Sequence, residues 1–211
     1  MTGVLRKATL LTVAGLFVAS AAFAGVPSPG NSTIPGCIPL VGSNLGLRDT
    51  TTGNVTIVVR DLANNPIAGA SVVLDFSGLA DIAICSDQLD LNALTNCAAK
   101  TTRKFTDALG QVSFTVLGGS AGSASSLVNG AKVYANGVLL GSPTASAYDL
   151  DGAGGVSIND LSSWLFDLGT LTAYGRSDYD CDGSVGINDL SLWLSVFGAG
   201  NSLESCAIAC P

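Results

Sequence analysis

Between Asp149 and Leu190 the chain repeats itself. The run Asp149-Leu150-Asp151-Gly152-Ala153-Gly154-Gly155-Val156-Ser157-Ile158-Asn159-Asp160-Leu161 aligns, 29 residues later, with Asp178-Tyr179-Asp180-Cys181-Asp182-Gly183-Ser184-Val185-Gly186-Ile187-Asn188-Asp189-Leu190. Each copy runs on into an apolar stripe at helical spacing. Leu161, Trp164, Leu165 and Leu168 form the first stripe, and Leu190, Trp193, Leu194 and Phe197 the second, with Gly169 and Gly198 as stops. The pattern predicts two loop–helix units facing each other through these stripes. Most of each stripe is therefore expected in the core.

The loops carry a specific chemistry. In the second copy, carboxylates occupy positions 1, 3, 5 and 12 (Asp178, Asp180, Asp182, Asp189) and glycine occupies position 6. A hard divalent cation takes such oxygens, together with a backbone carbonyl at position 7 and a sharp turn at 6. This is the spacing of an EF-hand-type calcium loop. Ser184 would supply the carbonyl, and Gly186 at position 9 would leave a water. The first copy offers Asp149, Asp151, Gly155, Ser157 and Asp160, but Ala153 stands at position 5, so that site is expected to be weaker or to hold its ion through water. Ca2+ is the expected cofactor. Two blander readings remain: Asp-rich turns without metal, and calcium as a structural staple alone.

The N-terminus reads as an address. Arg6 and Lys7 precede an uncharged run, Ala8 to Ala24, that ends in Ala22-Phe23-Ala24, so residues 1–24 are expected to be a secretory signal peptide cut before Gly25. The run is shorter than the roughly 20 residues a membrane span needs, and the mature chain carries no other candidate. The expected location is secreted, free outside the cell or associated with its surface. In that compartment Cys37, Cys85, Cys97, Cys181, Cys206 and Cys210 are expected to form disulfides. Cys85–Cys97 would close a short loop, and Cys206–Cys210, or Cys181 with either of them, is plausible. No C-x-x-C pair favours thiolate metal binding.

Charge divides the chain. Residues 25–42 are uncharged and read as a linker; residues 43–145 hold seven acids and six bases; residues 146–199 hold eight acids and one base, Arg176; residues 200–211 form a Cys-containing tail. The absence of His removes imidazole catalysis and ligation. A formal net charge of −7 excludes a basic nucleic-acid footprint. In the middle region Val55–Arg60, Gly69–Phe76 and Gln111–Val116 alternate with period two, and Asn136-Gly137 separates Ala131–Ala135 from Val138–Leu140 as a hairpin turn would. Short strands at this spacing predict an antiparallel sandwich.

Two resemblances sharpen the expectation. Val59-x-Asp61, the Asn65-Pro66-Ile67-Ala68-Gly69-Ala70 turn and Thr106-Asp107-Ala108-x-Gly110 resemble bacterial Ig-like domains of the Big-1 and carboxypeptidase-regulatory-like type. The paired acidic loops, each with a trailing helix and no entering helix, resemble the dockerin domain. That resemblance implies calcium at the positions above. It also implies docking onto a cohesin-like partner read by Ile158-Asn159 and Ile187-Asn188, in extracellular polysaccharide breakdown or cell-surface assembly. The expected fold class is thus mainly β: an Ig-like antiparallel β-sandwich followed by a small α pair of dockerin-like calcium loop–helix units. A non-catalytic role is expected, because no acid pair outside the loops has a catalytic context. The alternative is a carbohydrate-binding or glycoside-hydrolysing component acting on a polysaccharide. A ligand site in the sandwich would be sought first in Ser77–Lys104.

Overall fold

The computed structural model describes residues 25–121, 128–170, 172 and 174–210. The signal peptide assigned to residues 1–24 lies outside them. The chain begins with β1 (Cys37–Val41), a β2–β3 hairpin (Ser43–Asn44, Leu47–Arg48), the single turn α1 (Thr50–Gly53), β4 (Asn54–Val58), β5 (Ser71–Asp75) and β6 (Ile82–Cys85). It continues through β7 (Leu94–Asn96), β8 (Thr101–Phe105), β9 (Gln111–Ser120), β10 (Lys132–Ala135), β11 (Val138–Gly141) and β12 (Thr144–Ala147). Helices α2 (Ile158–Leu168) and α3 (Ile187–Ala199) follow, with a short 3-10 turn, Gly175–Ser177, between them, and β13 (Ala209–Cys210) closes the chain.

Two sheets face each other, one ordered β12-β1-β9-β6-β13 with β4 also paired to β9, the other β11-β10-β5-β8-β7. Val55, Ile57, Val72, Leu74, Val112 and Phe114 point inward from period-two strands and fill the space between them. The Asn136-Gly137 turn forms as its residues require, with φ of 47° and 82°, the left-handed pair of a type I′ hairpin. The sheet containing β1 is mixed rather than antiparallel, because β1 runs parallel to both β12 and β9.

That strand corrects the reading of residues 25–42 as a linker. Ile38, Leu40 and Val41 are fully buried in the centre of a sheet. A strand covered on both faces needs no polar alternation, so an uncharged run of small and apolar residues suits it as well as it suits a linker. The charge boundary near residue 146 likewise falls inside β12, whose Thr144–Ala147 pair with Cys37–Leu40.

The helices share a core with the sandwich. Trp164, Trp193, Tyr179, Tyr148, Leu150 and Val196 pack with Val41 of β1, Cys85 of β6 and Leu117 of β9. Trp193 Nε1 donates to the Tyr148 carbonyl, Tyr179 Oη donates to that of Ala147, and the Tyr148 and Tyr179 rings stack at 4.6 Å. The stripes are only partly core: Trp164 and Trp193 are buried, whereas Leu165, Leu168, Leu194 and Phe197 are exposed. The inward faces are instead Asp160-Trp164-Asp167 and Asp189-Trp193-Val196.

All six cysteines are bridged, by none of the expected pairs. Cys37 joins Cys181, Cys85 joins Cys206 and Cys97 joins Cys210, at sequence separations of 144, 121 and 113. Each bond ties the sandwich to the acidic loop or to the tail, which adds β13 to the sheet beside β6. Long-loop disulfides restrict the unfolded chain most. Replacing Cys37 and Cys181 together by Ser is expected to cost about 2–5 kcal/mol, read as a lowered guanidinium midpoint with a steeper slope as the unfolded chain expands.

Candidate metal centre

The two acidic loops share the wiring of their position-3 and position-12 aspartates at the 29-residue offset read from the sequence. Asp160 Oδ1 accepts from the N–H groups of Leu150 and Asp151, and Asp189 Oδ1 from those of Tyr179 and Asp180. Asp160 Oδ2 accepts from Ser157 N, and Asp189 Oδ2 from Gly186 N. At position 3, Asp151 and Asp180 each accept from the backbone two residues on. The backbone turns coincide as well. Position 4 is left-handed in both copies (Gly152, φ 73°; Cys181, φ 64°), and so is position 6 (Gly154, φ 75°; Gly183, φ 88°). Nothing lies within 4 Å of a Cβ built on Gly154 or Gly183; glycine is favoured there by backbone conformation, not by space.

The carboxylates converge. One oxygen from each of Asp178, Asp180 and Asp182 lies within 4.8 Å of the others, and the same holds for Asp149, Asp151 and Asp160. Asp149 and Asp178, at position 1, are buried, as are Asp160 and Asp189; Asp151, Asp180 and Asp182 face solvent. Asp178 Oδ2 accepts from Gly183 N, while Oδ1 is buried with no hydrogen-bond partner among the described residues. Asp149 Oδ1 accepts from Gly152 N. Burial, followed by the neighbouring Asp160 charge, pushes the Asp149 carboxyl up to about 7. Burial is also the largest influence raising Asp178, with Asp189 and Asp180 adding to it. Exposed Asp182 is held below the usual range by the Ser184 hydroxyl and N–H, at 2.6 and 2.8 Å.

Crowded, desolvated carboxylates with an unused buried oxygen suit a hard cation, which would neutralise them and take up Asp178 Oδ1. The second loop is the better equipped. Asp189, however, lies outside its cluster of three and is turned toward the backbone of its own loop, so it closes that loop around Asp178. Asp160 plays both parts in the first loop. Ser157 caps α2, with its hydroxyl 3.1 Å from Asp160 Oδ2 and 3.3 Å from Asn159 N. Gly155 has φ 70° and its backbone lies against that of Leu203 and Glu204. Ile158, Asn159, Ile187 and Asn188 are exposed on the first turns of the helices.

Sequence reasoning missed what holds the loops in place. Cys181, at position 4 of the second loop, is bonded to Cys37 of β1. Arg176 pairs in two places with Asp167 of α2, Nε and Nη2 each at 2.8 Å, and Nη1 donates to Ser120 of β9. Ser177 Oγ donates to the same Asp167 at 2.6 Å. A lone base among eight acids was the signal that pointed to such a pair. Comparison with known proteins finds no matching family model, no matching curated protein and no matching solved structure.

Asp182→Ala is expected to remove the tighter component of a calorimetric calcium titration. Ala153→Asp, which restores a position-5 carboxylate, is expected to strengthen the weaker component by about tenfold or more. A pH dependence follows from Asp149. A carboxyl raised from 3.8 to about 7 in the folded state favours its protonated form there. Its contribution to the metal-stripped protein is therefore full below pH 4 and lost as pH rises through 7. Melting temperatures between pH 4 and 8 should show that fall in stripped wild type and a smaller one in Asp149→Asn, with calcium's stabilisation of wild type growing across the same window.

Proposed function

We propose that this chain is a secreted, non-catalytic calcium-binding protein whose two loop–helix units dock onto a partner protein. One observation carries the reading: the backbone bonds of the position-3 and position-12 aspartates and the outer apolar face recur at the same offset, and each loop gathers three carboxylates. Ile158 and Leu165 project from α2, 61% and 53% exposed, and their counterparts Ile187 and Leu194 from α3, 75% and 47% exposed. A folded chain has little reason to leave repeated large apolar residues on a helix face unless something covers them. The acid-rich loops beside them favour calcium, and calcium filling would set the first turns that display Ile158, Asn159, Ile187 and Asn188.

The dockerin resemblance makes a cohesin-type domain the partner and extracellular polysaccharide breakdown, or assembly at the cell surface, the process. Three disulfides and the absence of any helix long and apolar enough to cross a membrane, among the described residues, are compatible with a life outside the cell.

Surface-immobilised cohesin domains test this directly. Residues 25–211 should bind in calcium and release in chelator, and Ile158→Asp with Ile187→Asp should weaken binding by about 100-fold or more while leaving the calcium titration unchanged. Undiminished binding by the double variant would refute the assigned face. No binding to any cohesin domain would refute the partner.

A further inference from the structure

A cavity of about 370 Å³ lies between the β2–β3 hairpin, the segment Cys85–Leu89 and the tail Glu204–Ile208. None of the outer apolar residues Ile158, Leu165, Ile187 and Leu194 lines it. We propose that it binds a small apolar molecule carrying a cationic group, an ammonium on an aliphatic stem.

Its walls are built rather than incidental. The Gln88 amide is buried: Nε2 donates to the Cys85 and Leu117 carbonyls, and Oε1 accepts from Leu117 N, so the segment is pinned to β9 at Leu117. Leu89, next in the chain, is held at φ 50°, a conformation that leucine adopts only under constraint. The tail opposite is fixed by the Cys85–Cys206 bond, by Ser86 N donating to the Ile208 carbonyl, and by the pairing of β13 with β6. Glu204 binds the hairpin through Ser43 Oγ, Leu45 N and Gly46 N. A cavity with walls secured on every side is preformed, which lowers the ordering cost of binding.

The lining sets the chemistry. Leu117, Leu89, Ile208 and the Cys85–Cys206 disulfide give an apolar floor and sides. Its charged residues are Asp87 and Glu204, with no lysine or arginine among the described residues of the lining. Asp87 is exposed, and among the described residues its Oδ1 accepts only from Leu89 N, which leaves the carboxylate open to an incoming donor. Apolar walls with acids at the opening select against carboxylates and phosphates and favour an apolar cation. The volume suits a ligand of a few carbons to a small aromatic amine. The same chemistry is offered by a free amine and by a lysine side chain on another protein.

Hexylamine, hexanol and hexanoate, titrated into calcium-loaded residues 25–211 and followed by NMR shifts of Leu89, Leu117 and Ile208, test the proposal. Hexylamine should bind most tightly and hexanoate least. Asp87→Asn should weaken hexylamine about fivefold and leave hexanol unchanged, and Ile208→Ala should weaken both. Equal binding of hexanoate and hexylamine, or no shifts at these residues with either amine source, would overturn it. A lysine-bearing peptide in place of hexylamine separates the sources: shifts with the free amine assign a small metabolite, and shifts with the peptide alone assign a protein side chain. Because calcium and cohesin binding are read elsewhere on the molecule, failure here leaves the docking proposal standing, and the reverse also holds.

Discussion

Burying aspartates together is the constraint to which much of the helical half answers. Asp149 beside Asp160 and Asp178 beside Asp189 sit out of water, and their hydrogen bonds go to backbone N–H groups and to the Ser157 hydroxyl. Each carboxylate can keep its charge only if donors or a cation offset the lost hydration. The position-12 aspartates meet that need by reaching back into their own loops, and this sets the rotation of each helix. With Asp160 and Asp189 inward, Trp164 and Trp193 follow four residues later. Leu165 and Leu194, one residue further round, are carried outward. The exposed apolar face is therefore a consequence of how the acids are satisfied.

The helical half is continuous with the sheets rather than appended to them. Arg176, buried and paired in two places with Asp167, bridges α2 to Ser120 at the end of β9. A buried charge pair of this geometry tolerates loss of neither partner, since either change strands the other charge. Tyr148 and Tyr179 stack between the loops, and the indole of Trp193 bonds to the chain leaving β12. Val156 N donates to the Ser202 carbonyl, and Ser202 Oγ donates to Asp49, which caps α1. Occupation of the loops thus bears on the tail, the first helical turn and the edge of the sandwich at once, so that one ion would stabilise the whole chain.

Much was legible in the residues themselves. The loop spacing, the left-handed glycine at position 6, the Asn136-Gly137 turn and the period-two strands are local properties, set by ligand chemistry, backbone sterics and side-chain alternation over a few residues. A charged or apolar label on those residues carries most of the information needed. The acidic clusters formed where the spacing placed them, although Asp189 turned out to clasp its loop and lies outside its cluster.

What only the tertiary structure decided was non-local. Whether Cys37–Val41 is a linker or a central strand depends on β9 and β12, far along the chain, arriving on either side of it. The cysteine partners lie more than a hundred residues apart, where spacing carries no preference and only the packed fold selects among pairings. Which side of each amphipathic helix faces inward was settled by competition between leucine burial and carboxylate satisfaction, and an unmet buried charge costs more than an exposed leucine. The sequence alone thus determined the chemistry of the loops and the period of the strands. The fold determined what those loops are fastened to and which surface they leave open.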